Sequence, residues 1–217
     1  MDEALRATRI TRLKRDLAQA KGLSAARLAS EIIEIGFVCL RCGDCCQGTD
    51  NSVLAFPREI RRIEEATGLS WLQIAGPPEE GEFDSNGCFH TLEWRLLKDE
   101  QSCRFYREGC CKVYQVRPGL CRTYPFYLDC SRLFHSECRG LGGRIEPEKA
   151  KKIAEYLILR HITEIEEAIS LLERYRDFER GDPEEGHEKD CIIVHDSEGE
   201  HIIRKGANCS GRNEFGQ

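Results

Sequence analysis

The chain has 217 residues and a formal net charge of −6, and 13 of its residues are cysteine. That usage, about 6%, is several times that of an ordinary soluble domain, whereas the 40% hydrophobic and 32% charged content is unremarkable in either direction. The longest uncharged apolar run, Ile35 to Leu40, is far short of the roughly 20 residues that span a bilayer, and the acidic balance argues against general nucleic-acid binding. No secretory leader is read at Met1-Asp2-Glu3, because Arg6, Arg9, Arg12, Lys14 and Arg15 interrupt any apolar stretch. A cytoplasmic location is therefore expected, where thiols stay reduced and disulfides are rare.

In chain order, residues 3–21 predict a basic helix, with Leu5, Ile10, Leu13 and Leu17 on one stripe and Lys21-Gly22 as its break. A second helix starts after Ser24 as N-cap, runs through Leu28, Ile32 and Ile35, and stops at Gly36. Ser52 to Phe56 reads as a short strand, and Pro57 opens a helix that ends at Gly68. Trp71, Leu72 and Ile74 read as one helical turn on the core, and Gly76 to Gly87 as a loop rich in Gly, Pro and acid.

Short strands are expected at 88–96 and 111–114. A long helix starts at Pro147 and carries Ile153, Leu157, Ile158, Ile162, Ile165, Ile169 and Leu172 at helical spacing. Between Glu179 and Glu200 nine acids face only Arg180 and Lys189. Within that acidic stretch, Cys191–His195 and 201–205 predict a hairpin turned at Asp196 to Glu200. The tail from Asn208 reads as disordered.

Eleven of the 13 cysteines lie between Cys39 and Cys138. Cysteines used as small buried hydrophobes would spread along the chain, so the cluster points to metal or redox chemistry. Cys191 and Cys209, outside it, read as ordinary buried residues. The densest run is Cys39-Leu40-Arg41-Cys42-Gly43-Asp44-Cys45-Cys46. Steps of three let a tight loop turn thiols toward one ion, and Gly43 supplies the backbone freedom. Adjacent side chains tend to diverge, so Cys45 and Cys46 are expected to serve two neighbouring metals or one multinuclear cluster. Downstream come Cys103, Cys110-Cys111, Tyr114, Arg117-Pro118, Cys121-Arg122, Tyr124-Pro125-Phe126 and Cys138 with its glycines.

These residues resemble the CxxCxxCC (YkgJ-like) cysteine-cluster family, a family described as zinc- or iron-chelating. The resemblance rests on Cys39, Cys42, Cys45 and Cys46, on Cys103, on Cys111 with Tyr114, and on Arg117-Pro118. It continues through Cys121-Arg122, Tyr124-Pro125-Phe126 and Cys138, and covers about residues 36–143. It implies metal binding through those eight cysteines. Cys88, Cys110, Cys130, Cys191 and Cys209 fall outside the pattern. Flagellin lysine methylases look like relatives with a similar cluster, which keeps a transferase reading open.

Eight thiolates suit two four-cysteine zinc sites or two Fe–S clusters. The Cys-x2-Cys-x2-Cys step is like that of bacterial ferredoxins, without their final Cys-Pro, and it favours an Fe–S cluster over zinc. His90 and His135 read as ordinary histidines. Arg117 and Arg122 are candidates to donate hydrogen bonds to the sulfurs, with capping of a local turn as the other role for Arg117. Tyr114, Tyr124, Pro125 and Phe126 read as an apolar wall.

The expected fold is α+β: an irregular, metal-stabilised cysteine-rich centre flanked by helices, with a C-terminal β-hairpin. The divisions read as a helical arm at 1–35, the cysteine domain at 36–143, a long bracing helix at 144–180, and an acidic linker, hairpin and tail at 181–217. The function expected is metal binding with a redox or metal/cluster maturation role and a protein partner, with no nucleic acid and no membrane. A structural zinc module, or a cluster-dependent transferase or oxidoreductase, stands beside it. No Ser/His/Asp or paired-carboxylate pattern supports hydrolysis.

Overall fold

The computed structural model describes residues 3–48, 52–181 and 189–204. Helix α1 spans Glu3–Lys21 and α2 spans Ala25–Ile35. The Ser24 side chain accepts from the Arg27 amide at 3.3 Å, and Gly36 closes α2 at φ +73°, a conformation that only glycine adopts freely. A 3-10 turn at Asp44–Cys46 and the short strand β1, Leu54–Ala55, lead to α3, Pro57–Thr67, and α4, Trp71–Ile74. Strands β2, Ala75–Gly76, and β3, Glu82–Phe83, precede β4, Phe89–Leu92, and β5, Trp94–Leu96. Four two-residue strands follow: β6 Lys98–Asp99, β7 Ser102–Cys103, β8 Tyr106–Arg107 and β9 Cys110–Cys111. Then come α5, Gly119–Thr123, the hairpin β10 Phe126–Asp129 and β11 Arg132–His135, and α6, Pro147–Arg174. Strands β12, Cys191–Asp196, and β13, Gly199–Arg204, form the expected C-terminal hairpin.

The fold is α+β. One sheet has the order β1-β5-β2, a second the order β13-β12-β4-β3, and the remaining strands pair as three hairpins. In the second sheet β12 runs parallel to β4, with Ile192 opposite Phe89 and His195 opposite Leu92.

Three apolar clusters hold these elements. The first joins α3, α4 and the sheets through Ile60, Ile63, Ile74 and Trp94, with Trp71 meeting Trp94 edge-on at 5.2 Å. The second packs Leu28 and Ile32 of α2 against Ala150, Ala154 and Leu157 of α6, with Phe37 edge-on to Phe126. The third sets Ala20 of α1 on Ile165 and Ile169. Helix α6, at 28 residues, is about 42 Å long, so α2 and α1 pack along successive stretches of it. Lys14 and Lys21 pair with Glu173 and Glu166 of α6 across the α1 boundary. These exposed pairs contribute under about 1 kcal/mol each.

Three expectations need correction. The loop read at Gly76–Gly87 contains strand residues, and Gly81 permits this: a Cβ there would stand 2.2 Å from the His90 carbonyl oxygen. The strand read at 111–114 is only the Cys110–Cys111 rung, after which the chain turns and buries Val113 alone. Tertiary packing has overridden the β preference of Val-Tyr there. Cys191 is no lone buried residue, because it is disulfide-bonded to Cys88 across 103 positions. That bond runs against the expectation of a reducing setting without disulfides. The tail from Asn208, Cys209 and residues 182–188 of the acidic stretch lie outside the described residues.

Candidate metal centre

The eight motif cysteines come from separate segments, and identifiable contacts bring those segments together. The glycines after Cys138 let two backbones touch: Val38 N–H donates to Gly140 O at 2.8 Å and Gly142 N–H to Gly36 O at 3.0 Å. A Cβ at Gly140 would stand 2.2 Å from the Val38 oxygen. This contact sets Cys138 beside the segment entering Cys39. On the other side of the loop, Gly48 N–H donates to Gln101 O at 2.8 Å and Gln47 bridges Ser102, next to Cys103.

Tyr106, opposite Cys111 in the β8–β9 hairpin, reaches the Cys42 carbonyl with its hydroxyl at 3.4 Å. Its ring fills the space over Gly43, where a Cβ would lie 2.0 Å from the hydroxyl oxygen. Gly43 itself sits at φ +80°.

Cys121 is carried by α5, and that helix is held at both ends. Pro118 precedes it, and Glu59 of α3 accepts the Gly119 N–H at 2.7 Å while also accepting the Phe56 N–H at 3.2 Å. Burial pushes the Glu59 carboxyl up, and these two hydrogen bonds oppose the shift. At the other end Arg160 of α6 donates to the Thr123 hydroxyl at 2.9 Å. Sequence reading missed Glu59, Tyr106 and Arg160, because each acts across a long chain separation.

Cys39, Cys42, Cys45, Cys46, Cys103, Cys111, Cys121 and Cys138 all line one cavity of about 1230 Å³. Cys110 and Cys130 are exposed and do not line it. Of the two histidines weighed from sequence, His90 is buried in the second sheet and His135 is exposed, and neither lines the cavity. Cys103, Cys111 and Cys121 pack on the first apolar cluster and Cys138 on the second.

Cys45 and Cys46 do not diverge as their adjacency suggests. The 3-10 turn bends the chain so that their sulfurs are 3.9 Å apart, close to the roughly 3.8 Å edge of a tetrahedron with 2.3 Å metal–sulfur bonds.

The thiols act on one another electrostatically. The hydrogen bond from Cys46 lowers the Cys45 thiol to about 7 against some desolvation of this exposed residue, and Arg117 favours its thiolate. The same hydrogen bond, then burial, pushes Cys46 up, with Cys45, Cys103 and Cys121 adding like-charge opposition. Burial pushes Cys103, Cys111 and Cys121 up as well. Few of these groups can ionise together without a cation among them.

Arg117 and Arg122 line the cavity, but their hydrogen bonds go to carbonyl oxygens. Arg117 donates to Tyr114 and to Cys121, and its guanidinium lies 3.7 Å from the Tyr114 ring centre. Arg122 donates to Gln115 at 2.8 Å and lies 4.9 Å from the Tyr156 ring centre.

Among the described residues no three His, Cys, Asp or Glu are gathered closely enough to hold an ion. The donor set nevertheless suits a metal: eight cysteines and no histidine line the cavity. Sulfur ligation selects zinc or iron over hard cations such as magnesium and calcium.

Residues 38–139, just under half of the chain, match the sequence model of the CxxCxxCC family, described as a "putative zinc- or iron-chelating domain". No curated protein and no solved structure matches the chain. No described helix is long and apolar enough to cross a membrane.

Proposed function

We propose that the eight cavity cysteines bind iron as one or two Fe–S clusters. The protein then serves in electron transfer, or in metal or cluster maturation, with a protein partner and in the cytoplasm, where the Cys88–Cys191 bond would be an exception among reduced thiols. The observation that carries this reading is the convergence of eight thiols from five chain segments on one cavity. The ferredoxin-like step at Cys39, Cys42 and Cys45 supports iron, and the exposure of Cys39 and Cys45 suits exchange with a partner.

A second reading, a structural zinc module, draws on two observations. The Cys45 and Cys46 sulfurs are spaced like one edge of a tetrahedral zinc site. The cysteines also bridge two apolar clusters, so an ion there would tie the clusters together.

Anaerobic purification followed by assays for iron, acid-labile sulfide and zinc separates the two. Iron and sulfide in comparable amounts, with a visible absorption that bleaches reversibly on reduction, are expected. A colourless protein with stoichiometric zinc and no sulfide would falsify the iron reading.

A further inference from the structure

One wall of the cavity carries no cysteine. It is formed by the start of α6 and the residue stretch leading into it, where Arg144, Lys149, Lys152, Ile153 and Tyr156 all line the space. Positions 149, 152, 153 and 156 follow the i, i+3, i+4, i+7 rule, so one helix face looks into the cavity. That face offers two ammonium groups, an aliphatic side chain and a phenol ring. Arg144, Lys149 and Lys152 are exposed and have no ion pair among the described residues. The Arg122 guanidinium lies over one face of the Tyr156 ring, 4.9 Å from its centre, and adds a fourth base beside it. The helix N-terminus at Pro147 adds its partial positive charge at the same end.

Size separates this wall from the needs of a metal. Two tetrahedral sites with 2.3 Å bonds enclose on the order of 100 Å³, and the cavity holds about 1230 Å³. The remaining space is ample for an organic ligand, whose pockets run to roughly 300–1,000 Å³. The chain as a whole is acidic, and this stretch sets Arg144, Lys149 and Lys152 against a single lining acid, Glu146, so its positive excess is local.

We propose that the α6 wall binds a small organic phosphate bearing a flat ring. The phosphate sits against Arg144, Lys149 and Lys152, and the ring lies against Tyr156 and Ile153. Such a ligand would lie beside the sulfur-lined side of the same cavity. The inference rests on the metal reading only in that both share the cavity, and each can fail without the other.

The test is equilibrium dialysis of the purified full chain, as isolated, with phenyl phosphate and with adenosine monophosphate. Inorganic phosphate and adenosine are the controls, and metal content is measured on the same samples. At least one aromatic phosphate is expected to bind roughly tenfold or more tightly than either control. The Arg144→Gln/Lys149→Gln/Lys152→Gln variant should lose that binding by tenfold or more with metal content unchanged. The Tyr156→Leu variant should weaken the aromatic phosphates and leave inorganic phosphate as it was.

Failure of both aromatic phosphates to outbind the controls overturns the inference. So does a triple variant that sheds metal without changing phosphate binding, since the bases would then serve only to neutralise the thiolates. Phosphate binding by a protein without metal would leave this inference standing and remove the metal reading.

Discussion

The cysteine cavity and the C-terminal sheet both join residues far apart in sequence, and they do so by opposite means. In the sheet the joins are made by the protein itself. Cys88 is bonded to Cys191, β12 runs in register beside β4, and His90 Nδ1 meets His195 Nε2 at 2.8 Å. The Trp94 indole donates to Asp196 at 2.7 Å. Around the cavity the joins stop at the rim: the Gly36–Gly142 and Gly48–Gln101 contacts and the two-residue strands. Toward its middle the chain presents thiols that oppose one another's ionisation. The sheet is thus closed by bonds within the chain, whereas on the proposed metal reading the cysteine region would be closed by what its sulfurs hold.

The sharpest way to break this comparison is to remove the metal. Structural zinc in small domains contributes on the order of 10 kcal/mol to folding, more than a typical domain's net stability. Stringent anaerobic chelation without added reductant, which leaves the Cys88–Cys191 bond intact, should abolish amide-exchange protection in β6–β9 and α5. The α2–α6 packing and the β12–β13 pair should keep theirs. Equal protection of both regions after complete metal loss would show that the cavity folds by its own contacts.

The disulfide is the corresponding test of the sheet. Bridging 103 positions restrains the unfolded chain by up to about 4–5 kcal/mol in the chain-entropy account. The Cys88→Ser/Cys191→Ser variant should lower the urea midpoint of the β12–β13 region and leave metal content unchanged. Thiol titration of the denatured, unreduced and metal-free protein should find at most eleven thiols among its thirteen cysteines. A count of thirteen would remove the bond, and with it the stated contrast.

A smaller effect is expected at Gly43. An alanine there must adopt a left-handed φ and push its Cβ into Tyr106. Strain of this kind costs roughly 1–3 kcal/mol. Gly43→Ala should therefore weaken metal retention against a chelator, and Tyr106→Phe/Gly43→Ala should recover little, since ring carbons as well as the hydroxyl are met. Gly109→Ala, also at positive φ but with open space around it, is the control. Equal metal retention in the two single variants would mean that the Tyr106 contact does not shape the loop.

Much of this contrast was readable from the sequence, for definite reasons. Helices α1, α2, α3 and α6 carry a periodic apolar face, and Ser24, Gly36, Pro57 and Gly68 punctuate them. The family resemblance marked out the eight cysteines that share the cavity. The joins themselves were not legible, because Glu59 with Gly119, Tyr106 with Cys42, and Cys88 with Cys191 leave no period in the chain. One signal was present and unused: glycines at 140 and 143 outside a nucleotide-type turn imply close backbone approach, and Val38 is what approaches them.

The weakest expected effect falls on the sheet's buried imidazole pair. His195 is 2% exposed, and it faces His90, Glu200 at 3.8 Å, its neighbour Asp196 and the Tyr175 ring. His90 in turn meets Asp84 at 3.3 Å. Burial, and then the charge of His90, hold the His195 imidazole below its usual value, against the opposite pull of Glu200 and Asp196. Below about pH 6.5 the unfolded chain therefore binds a proton that the folded sheet resists.

Stability should fall with pH in that window, by at most about 1.4 kcal/mol per pH unit for this one group. Asp84 and Asp196 are held below the ordinary carboxylate range, so their loss of stability comes at more acid pH and does not overlap. His161, also lowered by burial, contributes with the same sign, and the effect of His195 must be taken as a difference. Urea midpoints of the native chain and of His195→Gln, compared at pH 7.5 and 5.5, give that difference. The native chain should lose more between the two pH values than the variant, and parallel losses would place the acid sensitivity outside the sheet.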